Sequence, residues 1–78
     1  MVDRFGEKLR ALRMHRRLTL QEMGRRLGYR SHSYLSELES GKRIPTVKFV
    51  LKVARLFDVT TDELIKDELE ISSLDQDD

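Results

Sequence analysis

Apolar residues recur at spacings of three and four in two segments of the first half of the chain, which is the pattern of amphipathic helices. These positions are Phe5, Leu9 and Leu12 in the first segment and Leu20, Met23 and Leu27 in the second. The first segment predicts a helix over about residues 3–16. The second predicts a helix that begins at Thr19, where Thr19 and Glu22 form a capping box, and ends at Gly28.

Three more helices are predicted from their end signals. Helix 3 covers about residues 32–40, with Ser31 as its N-cap and Gly41 as its terminator. Helix 4, about residues 47–57, is mostly apolar and should form the centre of the core. A second capping box at residues 60–63 opens a short helix 5. The pattern therefore predicts an all-α chain of five helices.

The charge is divided unevenly along the chain. Seventy-eight residues limit the chain to one compact domain, and the formal net charge is only +1. However, residues 1–66 carry all fifteen Lys and Arg residues and eight acids, whereas residues 67–78 carry six acids and no base. We interpret residues 1–66 as a basic domain and residues 67–78 as an acidic C-terminal tail. This distribution is expected of a protein that binds a polyanion, and an ordinary charged surface is the alternative.

Several classes of protein are not supported by the composition. The chain has no cysteine, so disulfides and thiolate metal sites are excluded, and its two histidines lie on different predicted helices. No Ser/His/Asp arrangement and no glycine-rich phosphate loop is present, so we expect neither an enzyme nor a cofactor, metal or small-molecule ligand. The charged N-terminus is not a signal peptide, and no segment is apolar for long enough to span a membrane. We expect a cytoplasmic protein.

Helix 3 separates its side chains into two faces at 100° per residue. The side expected to face the core carries Tyr34, Leu35 and Leu38. The opposite side carries short polar groups and one carboxylate, from His32, Ser33, Ser36, Glu37 and Ser40. Short hydrogen-bonding groups suit close approach to base edges in a major groove about 12 Å wide. Helices 2 and 3, joined by the short segment 28–31, match a helix-turn-helix, in which the second helix enters that groove.

A set of short motifs follows in order along the same region. They are Leu18-Thr19, Gln21-Glu22-Met23, Leu27-Gly28, Ser33-Tyr34-Leu35-Ser36, Leu38-Glu39, Gly41-Lys42-Arg43, Pro45-Thr46 and Val59-Thr60-Thr61-Asp62-Glu63-Leu64. At these spacings the set resembles the Cro/repressor-type (XRE-type) helix-turn-helix family over about residues 4–66. The resemblance implies a five-helix repressor-like domain, usually dimeric, that binds operator DNA and regulates transcription.

The resemblance also implies roles for individual residues. The family's base-contacting positions fall on His32, Ser33 and Glu37, and Ser36 joins them on the same polar face. Its phosphate-contacting positions fall on Gln21, Lys42 and Arg43, with Arg17 and Arg30 nearby. We expect the ring of Tyr34 to pack inward and its hydroxyl to reach a phosphate. The family pairs the positions of Arg13 and Glu39, and a glutamate near a helix C-terminus is unfavourable unless paired. We predict a partly buried salt bridge there, and two independent solvated charges are the alternative.

The sequence departs from the family pattern at four points. Leu20 stands where the family commonly has a glutamine. Gln21, one residue later, is therefore the glutamine assigned to the phosphate contact. Gly24 replaces the usual alanine, which costs about 0.5–1 kcal/mol of helix propensity. The turn before helix 3 is one residue longer, because Tyr29 and Arg30 precede the cap. Finally, Glu37 is unusual opposite phosphates and would have to accept a hydrogen bond from a cytosine amino group.

The predicted function is sequence-specific binding of double-stranded DNA by a homodimer on a palindromic operator, as a transcriptional regulator. Helix 4 has a broad apolar arc, and further apolar surface for a subunit contact is expected from Leu64, Ile65, Leu69, Ile71 and Leu74. The alternative is a protein-interaction or antitoxin-like module whose C-terminal segment binds a partner protein. A further possibility is that the acidic tail competes with DNA for the basic surface.

Overall fold

The structure, a computed structural model, describes residues 1–74. The regular elements of this range are α1 (Phe5–His15), α2 (Leu20–Leu27), α3 (His32–Ser40), α4 (Val47–Phe57), α5 (Thr61–Ile65) and a 3-10 turn at Ser72–Leu74. Residues 1–74 contain no strand, so the predicted all-α, five-helix fold is confirmed. No helix in this range is both long and apolar enough to cross a bilayer.

Side-chain hydroxyls cap the start of each helix from α2 to α5. The hydroxyl of Thr19 accepts the amide of Glu22 at 3.0 Å, and the Glu22 carboxylate accepts the amide of Thr19 at 2.8 Å. The same reciprocal box joins Thr60 and Glu63 at the start of α5. The hydroxyl of Ser31 caps α3 by accepting the amide of the third residue of the helix at 3.2 Å. Each hydroxyl satisfies a backbone donor that has no partner inside the helix.

One hydrophobic core joins the helices. Its buried members are Phe5, Leu9, Leu12, Met23, Leu27, Leu35, Leu38, Phe49, Val50, Val53, Phe57, Leu64 and Ile71. Helix α4 contributes four of them, as its apolar pattern predicted. Leu64 and Ile71 are 0% and 3% exposed, so the expectation that these two residues add surface for a subunit contact was wrong. Both residues pack inside the core of their own subunit.

Helices α1 and α3 approach each other closely at Gly6. A Cβ atom placed on Gly6 would lie 2.6 Å from the carbonyl oxygen of Glu39, nearer than side-chain carbons are normally found. The glycine therefore allows the first turn of α1 to pack against the C-terminal turn of α3. This contact fixes one end of the helix that carries the candidate site.

Residues 67–74 pack against α1. The Asp67 carboxylate accepts the amide of Arg4 at 2.9 Å at the start of α1, and this bond lowers the pKa of Asp67. The ammonium of Lys8, which is only 3% exposed, donates at 2.6–2.9 Å to the carbonyl oxygens of Glu63, Lys66 and Leu69. The helical pattern of the sequence does not reveal this buried lysine. The domain boundary after residue 66 stays a prediction, and Asp75, Asp77 and Asp78 of the predicted tail lie outside the described residues.

Candidate nucleic-acid interface

The outer face of α3 is open to solvent. His32, Ser33 and Ser36 are exposed, whereas Leu35 and Leu38 are each 1% exposed and anchor the helix in the core. The two faces predicted from the 100° periodicity are therefore present in the structure. Because the exposed side chains are short, the backbone of α3 can approach another surface closely.

The longer turn before α3 folds back onto α2. Gly28 has a φ of 81°, a left-handed conformation that favours glycine, and ends α2. The amide of Tyr29 then donates to the carbonyl oxygen of Gly24 at 2.8 Å. A Cβ atom on Gly24 would lie 2.7 Å from both the Tyr29 carbonyl oxygen and a methyl carbon of Leu35. The glycine at this position therefore lets the turn and α3 lie close against α2.

A hollow of about 430 Å³ lies at the elbow between α2 and α3. We call it the elbow hollow, and it is lined by Leu20, Gln21, Gly24, Arg25, Tyr29, Arg30, His32 and Leu35. It brings together three residues that the sequence assigned to DNA: Gln21, Arg30 and His32. Arg25 is a fourth polar residue at this site, and the sequence analysis did not single it out. Its spacing of four residues from Gln21 on a helix was the signal that could have found it.

Two other predicted residues lie away from the elbow hollow. Ser36 faces a second hollow between α1 and α3, which it lines with Ser40 and Arg10. Arg17 lies in the connection between α1 and α2, is exposed, and lines neither hollow. The base-contacting set predicted from the sequence is therefore spread along α3 and not gathered in one place.

Glu37 and Arg43 form an ion pair on the outer surface of α3. Arg43 Nε donates to Glu37 Oε1 at 2.9 Å, and the guanidinium carbon lies 5.4 Å from the centroid of the Tyr34 ring. Tyr34 stacks on Tyr29 with ring centroids 5.5 Å apart, and Lys52 Nζ lies 5.0 Å from the Tyr29 centroid. A cation, two stacked tyrosine rings and a second cation thus connect the loop after α3 to α4.

A second ion pair lies at the edge of the core. Arg13 of α1 donates to both carboxylate oxygens of Glu39 of α3, at 2.7 and 3.1 Å, and to the carbonyl oxygen of Leu18 at 2.8 Å. The two charged side chains are 16% and 8% exposed. The pair therefore joins α1, α3 and the connection that leads into α2.

Positive charge surrounds the exposed face of α3. Arg25 and Arg30 lie at its N-terminal end, and Lys42 and Arg43 follow its C-terminus. Both carboxylates of α3 are paired with arginine. Within residues 1–74 no group of three or more histidine, aspartate or glutamate side chains is arranged to hold a metal ion. The arrangement suits a polyanion, and its short side chains can hydrogen-bond to exposed polar edges.

Comparison with known sequences gives one family. Residues 4–66 match a family model described as a helix-turn-helix domain. Over 64 residues, which are 82% of its length, the chain is 38% identical to the HTH-type transcriptional activator BcrR of Enterococcus faecalis. Over the same length it is 34% identical to the uncharacterized HTH-type transcriptional regulator YqaE of Bacillus subtilis (strain 168). The matched region spans 31% of the length of the first relative and 54% of the second.

Two solved structures have the same fold. The N-terminal DNA binding domain of SinR from Bacillus subtilis matches with a TM-score of 0.76 at 26% identity, over 87% of this chain and 99% of that one. The restriction-modification controller protein C.AhdI from Aeromonas hydrophila matches with a TM-score of 0.71 at 30% identity, over 81% of this chain and 94% of that one.

Proposed function

Because the chain belongs to the helix-turn-helix domain family of the Cro/repressor (XRE) type, we propose that it is a regulator that binds double-stranded DNA. It acts as a homodimer that recognises a palindromic operator and controls transcription. The main support for this proposal is the exposed face of α3, which carries small polar side chains and has basic residues at both of its ends. The family match indicates a non-enzymatic regulator.

Different residues supply affinity and discrimination in this proposal. Contacts to the phosphate backbone come from Gln21, Arg17, Arg30, Lys42 and the hydroxyl of Tyr34, with Arg25 added at the elbow hollow. Such contacts release counterions, so they give most of the affinity and a steep dependence on salt. Contacts to base edges come from His32, Ser33 and Ser36, and these set the sequence preference. Glu37, which the sequence also assigned to a base, is paired with Arg43.

The homodimer is supported by an exposed apolar stripe formed by Ile44, Val47 and Leu51. These side chains are 75%, 78% and 44% exposed. Val47 and Leu51 are four residues apart on one side of α4, and Ile44 lies in the loop directly before it. The stripe begins directly after the basic loop that follows α3. A symmetric contact between two stripes would therefore fix the distance between the two α3 helices on the duplex. Half-sites one helical turn apart, about 34 Å, are then expected.

The alternative function, a module whose C-terminal segment binds a partner protein, has less support. Ile71 is buried and Leu74 is partly buried, and both pack against the core of the same subunit. In the described part of the segment, Leu69 is the apolar side chain that stays exposed, at 37%, so the surface offered to another protein is small.

The proposal is tested by selecting bound duplexes from a random DNA library. We expect enrichment of a palindrome, and no enrichment above random DNA would refute sequence-specific binding. His32→Ala should relax the preference at one base pair by about 1–3 kcal/mol. Lys42→Ala should weaken all sequences alike and reduce the salt slope by about 1. Equal effects of the two variants would contradict the division between base and phosphate contacts.

The dimer is tested separately by sedimentation. Val47→Asp places a charge in the apolar stripe and should shift the protein to monomer, with loss of binding to the two-half-site duplex. Met14→Asp is the matched control, because Met14 is another exposed apolar residue, 56% exposed, on a different helix. A wild-type protein that stays monomeric at tens of micromolar would contradict the homodimer.

A further inference from the structure

Glu37 occupies a position where an unpaired carboxylate would be unfavourable under the proposed function. It lies on the outer side of α3, which would face the phosphates of the groove. In the structure its carboxylate instead accepts a hydrogen bond from Arg43 at 2.9 Å. Glu37 and Arg43 would therefore enter the groove together, with no net charge.

The guanidinium of Arg43 is held from two directions. Glu37 accepts its Nε–H, and the Tyr34 ring lies 5.4 Å from its central carbon. Tyr34 is itself fixed, because it stacks on Tyr29 and lies perpendicular to the Phe49 ring at a centroid distance of 5.8 Å. Within residues 1–74 no hydrogen bond engages Nη1 or Nη2 of Arg43. The end of the guanidinium that carries Nη1 and Nη2 therefore has donors without a partner in this range.

We propose that Arg43 contacts the Hoogsteen edge of a guanine, and that Glu37 and Tyr34 are the residues that position its guanidinium for this contact. The inference rests on the proposed function and changes the role of Arg43, which the sequence assigned to a phosphate. The O6 and N7 atoms of guanine accept two parallel N–H bonds, which is the pattern that the free end of this guanidinium presents.

The surroundings of Arg43 favour a base contact over a phosphate contact. A phosphate contact gains from net positive charge, and the neighbouring Glu37 carboxylate cancels that charge. A base contact gains from a fixed orientation, and the pairing with Glu37 and the Tyr34 ring supplies it. The side chains of Arg43 and Glu37 are 54% and 40% exposed, so the pair contributes little to folding. Its effect is therefore on the geometry of binding.

The test compares the selected operator with its single-base variants, using the full chain. Arg43→Lys keeps the charge but removes the planar pair of donors. We expect it to reduce discrimination at one G·C pair by roughly 10- to 100-fold while leaving affinity for random DNA nearly unchanged. Glu37→Gln should reduce discrimination at the same G·C pair. The double variant should lose no more discrimination than Arg43→Lys alone, because both changes disrupt the same Glu37–Arg43 pair.

Two control variants separate the roles of neighbouring groups. Arg55→Lys makes the same chemical change as Arg43→Lys at an exposed arginine of α4 and should leave discrimination at that G·C pair as it is in the wild type. Tyr34→Phe keeps the ring beside Arg43 and removes only the hydroxyl, so base discrimination should persist. Melting temperatures of all variants should stay close to that of the wild type, which shows that the readout is not a loss of fold.

Several results would overturn the inference. If Arg43→Lys preserved all base preferences, or if Arg43→Ala weakened every sequence equally, Arg43 would be a phosphate contact. If Glu37→Gln changed discrimination at a different base pair from Arg43→Lys, Glu37 would contact a cytosine independently. These outcomes leave the proposed function intact. Absence of any selected sequence would overturn the inference together with the proposed function.

Discussion

Glu39→Gln removes the charge from one side of the ion pair that joins α1 to α3 and leaves the guanidinium of Arg13 in place. In the wild type Arg13 donates to both carboxylate oxygens of Glu39, at 2.7 and 3.1 Å. A glutamine has the same shape but only one acceptor oxygen, so one of these two bonds is lost. The Arg13 charge then keeps a single partner on the main chain, the carbonyl oxygen of Leu18 at 2.8 Å.

The expected loss in the free energy of unfolding follows from how deeply the ion pair is buried. Breaking a fully buried pair costs about 3–5 kcal/mol, whereas an exposed pair is worth about 0–1 kcal/mol. The side chains of Arg13 and Glu39 are 16% and 8% exposed, and glutamine retains one acceptor. We therefore expect a loss of about 2–3 kcal/mol in the free energy of unfolding. At about 4–8 °C per kcal/mol for a domain of this size, the melting temperature should fall by about 10–20 °C.

Thermal unfolding followed by circular dichroism at neutral pH measures this effect. Glu68→Gln makes the same chemical change at an exposed acid and should leave the melting temperature within about 4 °C of the wild type, as is usual for surface substitutions. If Glu39→Gln behaved like this control, the two charges would be independently solvated and the energetic argument would be refuted.

Three further stability predictions use the same assay. Gly24→Ala should lower the melting temperature, because the new Cβ would lie 2.7 Å from a methyl carbon of Leu35. This clash should outweigh the helix propensity of alanine, which favours the variant by about 0.5–1 kcal/mol. An increase in melting temperature would contradict this packing. The Ser72 hydroxyl, then the amides of Thr60 and Ser72, lower the pKa of Glu63 to about 2. This contribution to stability is present above the ordinary pKa of Glu63 and is lost as pH falls toward 2. Glu63→Gln should therefore be less stable than the wild type at pH 7, and the difference in melting temperature should shrink in acid. A difference independent of pH would contradict the stabilising role of the Glu63 carboxylate. Ile71→Ala should cost about 2–4 kcal/mol, as for a core residue, and a neutral result would show that residues 67–74 do not belong to the folded domain.

Local sequence rules were sufficient for the helices. The two capping boxes and the serine cap of α3 act over three residues, so the sequence alone shows where these helices start. Gly28 and Gly41 end α2 and α3 with φ values of 81° and 84°, as their positions predicted. The periodicity of α3 also assigned its side chains to the correct inner and outer faces.

Contacts between residues distant in sequence were not predictable in the same way. Lys8 is buried because three carbonyl oxygens from the end of α5 and the following segment surround its ammonium, more than fifty residues further along the chain. The pairing of Glu37 with Arg43 depends on how the loop after α3 turns back, which no periodicity encodes. The outward position of Ser36 was predicted, but the hollow that it shares with Arg10 follows from the packing of α1 on α3.

The residues that hold α3 are different from those that it presents outward. Its C-terminal half is fixed by the approach of Gly6 and by the pair between Arg13 and Glu39, and its N-terminal half by the turn that packs on Gly24. All of these contacts lie on the inner side or the edge of the helix. The exposed side chains of His32, Ser33 and Ser36 take no part in these contacts, so substitutions there should change stability little. A domain built in this way can alter which sequence it recognises while the position of α3 stays the same.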